Sequence, residues 1–272
     1  MPPEKTVQTA PLKAKISPSP PLHGEAGRIH PGSRPLPPGE KVERVRTHFD
    51  AIAKRYDLMN TLLSFGIHHL WKRAAVRLLG PGEGEAVLDL CGGTGDLSVL
   101  SAKRIGPSGR IVLYDINRAM MEAGRGKPAT AQERGRILYV QGDAQCAALA
   151  SGSFDAAIVG FGIRNLTDRV AGFREIHRVL KPGGRFVCLE FSQPAAGGFR
   201  LLYDFYSFRI MPLLGRLVVG SGAAYTYLPE SIRLFPSPAE LAAVLEEIGF
   251  GRVAYRRLTH GIACLHWGVK RA

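Results

Sequence analysis

The 272-residue sequence has little cysteine: four residues, Cys91, Cys146, Cys188 and Cys264, far apart and with no Cys-x-x-Cys spacing. That scarcity excludes a disulfide scaffold and a zinc ribbon, and it fits reduced thiols in a cytoplasm. No stretch reaches 18 uninterrupted apolar residues and no apolar signal core stands near the start, so neither a membrane span nor a secretory signal is expected. The first 40 positions hold no aromatic residue but ten of the 19 prolines. Such a segment buries too little apolar surface to offset the entropy of ordering it, so residues 1–40 read as a disordered tail. Glu4, Glu25 and the prolines argue against a transit peptide there. Histidines lack ligand spacing with Asp, Glu or Cys, so His68, His69, His260 and His266 read as structural and no metal site is expected. Acidic residues are outnumbered, 23 against 36 Lys and Arg, for a formal net charge of +13. The tail supplies only about +2 of this, so the remainder is basic in its own right. A basic field favours an anionic membrane surface, nucleic acid or a negatively charged substrate. Nucleic acid is not expected, because the charge is spread and no aromatic-rich binding module accompanies it.

Hydrophobic residues at 45% and charged residues at 22% describe an ordinary globular chain. In the first part of residues 41–82, Val42, Val45, Phe49, Ile52 and Ala53 recur at three- and four-residue spacing, one apolar helical stripe. A second helix is expected over 67–79, stopped by Gly80-Pro81-Gly82, and together they form an N-terminal helical cap. Residues 83–272 alternate β-rich runs (86–91, 110–115, 137–141, 154–161 and 185–191) with helix-length segments. That alternation predicts an α/β fold, Rossmann-like, with a mostly parallel sheet and helices on both faces. Two more runs, 252–258 and 262–270, flank Thr259-His260-Gly261. So short a connection implies antiparallel pairing at one edge, giving seven strands in all. An aromatic, helical insertion over about 197–237 fits neither pattern.

The sharpest local signal is Val87-Leu88-Asp89-Leu90-Cys91-Gly92-Gly93-Thr94-Gly95-Asp96, a buried strand running into glycines and then a helix. Gly93 and Gly95 let the backbone approach a ligand, and the helix start offers free N–H groups. Asp115, 20 residues past Gly95, ends the second strand, where a carboxylate accepts ribose hydroxyls, with Ile116 beside it. Dinucleotides and S-adenosylmethionine share this layout. The third glycine of a dinucleotide fingerprint is missing, and Asp96 would repel a pyrophosphate but welcome an ammonium or sulfonium. The charge therefore predicts S-adenosylmethionine. Asp143 and Ala144, after the third strand, are placed to read an adenine edge, and Gly160 ends the fourth strand.

The chain resembles the quinone-biosynthesis C-methyltransferases that methylate demethylmenaquinol and the related ubiquinol precursor. The resemblance runs from about residue 49 to 270. It rests on Tyr56-Asp57-Leu58-Met59-Asn60, Ser64-Phe65-Gly66, Leu70-Trp71-Lys72, the glycine turn, Asp115-Ile116-Asn117, Phe161-Gly162-Ile163-Arg164-Asn165, Leu189-Glu190-Phe191-Ser192 and Glu230-Ser231-Ile232-Arg233. It implies an S-adenosylmethionine-dependent methyltransferase fold, with cofactor contacts on Thr94, Asp115, Asp143 and Ala144. Some members carry serine where this chain has Gly160, so one hydroxyl contact is missing. Ser192-Gln193-Pro194 followed by Gly198-Phe199-Arg200 resembles the menaquinone branch, so demethylmenaquinol is the expected acceptor. The benzoquinol precursor, an RNA methyltransferase and a silent methyltransferase-like assembly protein remain as alternatives.

Methylation at carbon needs an electron-rich ring, an aligned donor and exclusion of water. Arg164 is expected to stabilise a developing oxyanion without giving up its proton, with Asn165 orienting a quinol oxygen. Tyr56 and Asp57 are candidate base or relay groups at the mouth. The segment 199–219 carries Phe199, Tyr203, Phe205, Tyr206 and Phe208 among Arg200, Arg209 and Arg216. An amphipathic lid of this kind suits a polyprenylated quinol drawn from a bilayer, and hence a cytoplasmic enzyme in peripheral contact with the membrane surface. The same segment could serve as a subunit contact, which leaves a homodimer open.

Overall fold

The computed structural model describes residues 38–133, 135–194, 198–211, 213, 228–229 and 231–272. The expected disordered tail therefore lies outside the described residues up to position 37, as do residues 214–227 of the expected insertion.

Three helices open the described chain: α1 (Pro38–Ile52), α2 (Tyr56–Leu63) and α3 (Ile67–Leu79). Gly80, in the left-handed conformation, ends α3 where the sequence places the stop. Then follow β1 (Ala86–Leu90), α4 (Asp96–Ala102), β2 (Arg110–Asp115), α5 (Arg118–Arg125), α6 (Pro128–Ala131), β3 (Ile137–Gln141) and β4 (Phe154–Gly160). The chain continues through α7 (Arg169–Val179), β5 (Leu180–Phe191), α8 (Gly198–Phe205), a π-helical turn (Tyr206–Ile210), α9 (Pro238–Ile248), β6 (Phe250–Leu258) and β7 (Ala263–Lys270). α9 starts on a capping box in which Ser237 and Glu240 satisfy each other's backbone N–H groups.

The seven strands lie in the order β3-β2-β1-β4-β5-β7-β6. Only β7 runs against the rest, antiparallel to both β5 and β6, as the short connection after β6 requires. Alternate residues of the central strands enter two separate cores. Val87, Ile111, Leu113, Ile158 and Val187 face one side, where Trp71, Ala75 and Leu79 of α3 cover them. Leu88, Leu90, Val112, Tyr114, Val159 and Phe186 face the other, under Phe173 and Ile176 of α7 and Leu241 and Leu245 of α9. The period of two is the physical reason each central strand reads as an unbroken apolar run. Burying each such side chain stabilises the fold by about 1.5–3 kcal/mol.

The fifth strand starts at Leu180 rather than at the expected 185, and Leu180-Lys181-Pro182-Gly183-Gly184-Arg185 forms a bulge inside it. Leu180 already pairs with Phe154, and the ladder resumes only at Arg185 opposite Ala156. The start of β4 thus faces away from the strand ends that carry the glycine turn, and Asp155 there pairs with Lys181 at 2.6 Å. Over the other ends of the strands, Ile52, Met59, Leu63 and Met211 form a third, smaller core with Phe49, Tyr56 and Tyr206. The Trp71 indole N–H donates to Thr259 Oγ1 at 2.9 Å and ties α3 to the β6–β7 connection. Among the described residues, no helix is long and apolar enough to cross a membrane.

Candidate active site

β1 ends at Leu90, and Cys91 immediately takes a positive φ of 55° before the glycine turn. After β4, Phe161 does the same at 57°. Two side-chain-bearing residues in a region that costs about 1–3 kcal/mol mark a built feature. Between them a Cβ on Gly162 would overlap that of Cys91, so only glycine lets the two strand ends come together.

The turn is fastened to the neighbouring strand. The Gly93 N–H donates to Asp115 Oδ2 at 2.8 Å and the Asn117 N–H to Oδ1 at 2.7 Å. Each oxygen keeps a lone pair for a further donor. Burial pushes the Asp115 carboxyl up, while backbone N–H groups of Asn117, Gly93 and Ile116 pull it back. Above it opens a cavity of about 770 Å³, walled by Gly93, Asp115, Ile116, Asp143, Ala144 and Gly160, with Phe49, Tyr56 and Asn165 closing it. Asp143 accepts from the Gln145 N–H at 2.8 Å, which orients its carboxylate. A Cβ on Gly160 would stand 2.5 Å from Leu97 Cδ1, so Leu97 fills the room that a serine side chain would take.

Four residues named from sequence stand elsewhere. Thr94 is buried beneath the turn and donates to Asp57 Oδ1 at 2.8 Å, and Gly95 serves as the left-handed cap of α4. Asp57 is no base at the mouth. It lines neither cavity and is shared between Thr94 and Lys127, whose Nζ lies 2.5 Å from Oδ2. Asp96 does not face the cavity either. Lys72 and Lys127 each hold it at 2.7 Å, and these two ammonium groups keep its carboxyl far below the usual range against the opposing cost of burial. The sulfonium-facing role read from Asp96 is therefore withdrawn, because its charge is already neutralised inside the protein.

A second cavity, about 1130 Å³, adjoins the first and shares Phe49, Tyr56 and Phe161 with it. Its remaining wall is largely apolar, with Ile52, Leu63, Trp71, Phe191, Tyr206 and Met211, and Arg164 reaches it. Arg164 is only 7% exposed, and its Nη1 donates to Glu190 Oε1 at 3.0 Å and to the Phe161 carbonyl. Its guanidinium lies 5.4 Å from the centre of the Phe191 ring, and Nε–H has no hydrogen-bond partner among the described residues. Burial raises the Glu190 carboxyl, and Arg164 counters it. Asn165 thus belongs to the first cavity, Arg164 to the second and Tyr56 to both. His68, set aside from sequence as structural, stands on the wall of the second cavity. The signal was its position one turn before Trp71 and Lys72, on the buried face of α3.

Residues 39–270 match the ubiE/COQ5 methyltransferase family. The chain belongs to that family. It is 44% identical over 241 residues to the ubiquinone/menaquinone biosynthesis C-methyltransferase UbiE of Pseudomonas paraeruginosa, covering 89% of this chain and 94% of that one. The Legionella pneumophila (strain Paris) protein of the same name is also 44% identical, with 89% and 96% covered. Among solved structures, an S-adenosylmethionine-dependent methyltransferase from Thermotoga maritima superposes with a TM-score of 0.59 at 17% identity, over 83% of this chain and 99% of that one. Phosphoethanolamine N-methyltransferase 2 from Haemonchus contortus, in complex with S-adenosylmethionine, gives 0.54 at 13% identity, over 74% and 52%. These likenesses establish the Rossmann-like methyltransferase fold.

S-adenosylmethionine is the cofactor of this methyltransferase, and the first cavity fits it. The free lone pairs of Asp115 suit two ribose hydroxyls, Asp143 with Ala144 suits an adenine edge, and Gly93 offers backbone without a side chain in the way.

Proposed function

We propose that this methyltransferase methylates a ring carbon of a prenylated quinol, with demethylmenaquinol as its acceptor. The observation that carries the reading is the junction of the two cavities at Phe49, Tyr56 and Phe161, a cofactor chamber carrying Asp115 and Asp143 that opens onto a larger chamber walled by aromatic and aliphatic side chains. The curated relatives, named for quinone biosynthesis, support the reaction class. A fused naphthalene ring matches a chamber whose floor is the Phe161–Phe191 pair, 4.4 Å between centres, and Ser192-Gln193-Pro194 follows the menaquinone pattern.

Asp115, Asp143, Ala144, Gly93 and Gly160 would hold the cofactor, which when bound supplies an electrophilic methyl group. Tyr56 and Phe49, at the shared wall, position the acceptor ring and exclude water. Arg164, charge-balanced by Glu190, points its free Nε–H at a quinol oxygen and stabilises charge developing there. Asn165 orients from the cofactor side. Residues 41–82 act as the cap and the described part of the 199–219 segment, residues 199–211 and 213, as the lid. Leu58, Leu62, Phe65, Leu70, Phe205, Ile210 and Leu213 are exposed large apolar side chains on these same segments. Together they supply a face for resting on a bilayer at the entrance of the second cavity, from which the prenyl tail enters.

A methyl-transfer assay under reducing conditions, comparing demethylmenaquinol with the benzoquinol precursor, tests this. Faster turnover of the naphthoquinol supports the proposal. Preference for the benzoquinol reassigns the substrate, and turnover of neither, with cofactor bound, overturns the quinol reading.

A further inference from the structure

His68 sits on α3, only 3% exposed, in the wall of the second cavity, and its two ring nitrogens differ. Nε2 lies 3.2 Å from Thr61 Oγ1. That hydroxyl, which His69 Nε2 also approaches at 3.4 Å, gives its proton to the Asp57 carbonyl at 2.9 Å; in the tautomer that keeps this bond it accepts from the ring, and Nε2 of His68 carries the hydrogen. Nδ1 is then the nitrogen with the lone pair, and it is buried with no hydrogen-bond partner among the described residues. A buried acceptor left without a donor costs about 1–3 kcal/mol, which a ligand donor would relieve.

Two other hydroxyls around the cavity are committed. Tyr206 donates to the Leu63 carbonyl at 2.8 Å and Ser64 to the Asn60 carbonyl at 2.6 Å, and the Arg164 guanidinium has no lone pair to offer. Burial first, then the Lys72 charge and His69, push the imidazole down to about 4, with Lys127 adding to this and Asp96 opposing it. At neutral pH the ring is uncharged and the lone pair is present.

We propose that His68 is a catalytic base toward the acceptor: Nδ1 takes the hydrogen bond, then the proton, of the quinol hydroxyl next to the carbon that is methylated. The inference rests on the quinol reading above. As the ring carbon gains its methyl group, the adjacent hydroxyl becomes that of a protonated ketone, a strong acid, so a weak base is sufficient. The O–H bond breaks, its electron pair stays on oxygen to complete the C=O of a neutral dienone, and an N–H bond forms on Nδ1. Once methyl transfer is over and the cavity opens to solvent, the ring carbon sheds its own hydrogen to water and the imidazolium returns its proton to oxygen. One proton is released per turnover, and His68 ends neutral.

The test uses the full chain with His68→Asn, His68→Gln and His68→Phe. The Asn amide oxygen replaces the Nδ1 acceptor, whereas the Gln amide reaches Thr61 but leaves the Nδ1 position empty. Without cofactor, the wild type is expected to bind 1-naphthol about tenfold more tightly than 1-methoxynaphthalene. His68→Asn keeps that preference, and His68→Gln and His68→Phe lose it. With demethylmenaquinol, kcat falls about 100-fold in His68→Gln and His68→Phe while S-adenosylmethionine affinity stays unchanged. Wild-type kcat and naphthol preference in His68→Gln would show that the Thr61 contact is all that matters and overturn the proposal. A wild type that methylates no quinol overturns the quinol reading itself, and this inference with it.

Discussion

The two cavities meet at three side chains yet are built in opposite ways. The first is made at the ends of adjacent parallel strands, where Asp115 and Asp143 stand within a few residues of β2 and β3, and is closed by Val45, Phe49 and Tyr56 of the first two helices and Met120 of α5. The second is made of large side chains brought together from α1–α3, the end of β5, the α8 segment and the β6–β7 connection. Polar groups also fare differently. Asp115 is fixed by two backbone donors with lone pairs to spare, whereas Arg164 and His68 are less exposed and each keeps one nitrogen without a partner among the described residues. One region holds a ligand by preset hydrogen bonds, and the other encloses one and leaves the reacting groups unspent.

The largest effect comes from breaking the buried pair of the second region. Glu190→Ala should cost about 3–5 kcal/mol of stability in denaturant unfolding, because it strands the Arg164 charge. Glu190→Gln, which can still accept from Arg164, should cost less. Equal losses would mean that the pair does not balance that charge. Next, Asp115→Ala should weaken S-adenosylmethionine by on the order of 100-fold in a calorimetric titration, since it removes the ribose acceptors and unpairs two amides. The same substitution should leave naphthol binding in the second cavity alone. A smaller effect belongs to the outer face of the cap. Phe65, 79% exposed, and Leu70, 60% exposed, changed together to Asp should reduce vesicle binding at least about tenfold without altering cofactor affinity. Unchanged vesicle binding would remove the bilayer contact.

The smallest expected effect is a pair of opposite slopes, each at most about 1.4 kcal/mol per pH unit. Under the glycine turn, burial raises the Asp89 carboxyl from 3.8 to about 7, with Ser98 opposing. The folded protein then holds a proton that the unfolded chain releases, so this group's stabilisation is full below about pH 4 and is lost as pH rises to about 7. His68 is the reverse, lowered from 6.5 to about 4, so its contribution grows as pH rises through that window. Asp89→Asn should flatten the first slope and His68→Gln the second in unfolding midpoints measured against pH. Parallel slopes in the two variants would contradict the contrast.

The same contrast explains what the sequence discloses. The antiparallel pairing of β7, the end of α3 at Gly80 and the placing of Asp115 after the glycine turn follow from apolar runs and local punctuation, whereas the strand order is set by tertiary pairing. Asp96 was misread because its partners, Lys72 and Lys127, lie 24 and 31 residues away, and charge reasoning along the chain cannot see them. Asp57 was misread for the same reason, its carboxylate being spent on Thr94 and Lys127. His68 looked inert because its significance depends on Thr61 fixing one nitrogen and on a cavity wall assembled from distant segments. Local hydrogen-bonded turns are legible in a sequence, whereas chambers made by tertiary packing are not.

The most direct measurement is the structure of the protein bound to both S-adenosylhomocysteine and a demethylnaphthoquinone. The account places the nucleoside against Asp115 and Asp143, and the fused ring beyond Tyr56 with an oxygen near Arg164 or His68. A nucleoside in the apolar chamber, or a ring bound outside both cavities, would contradict it.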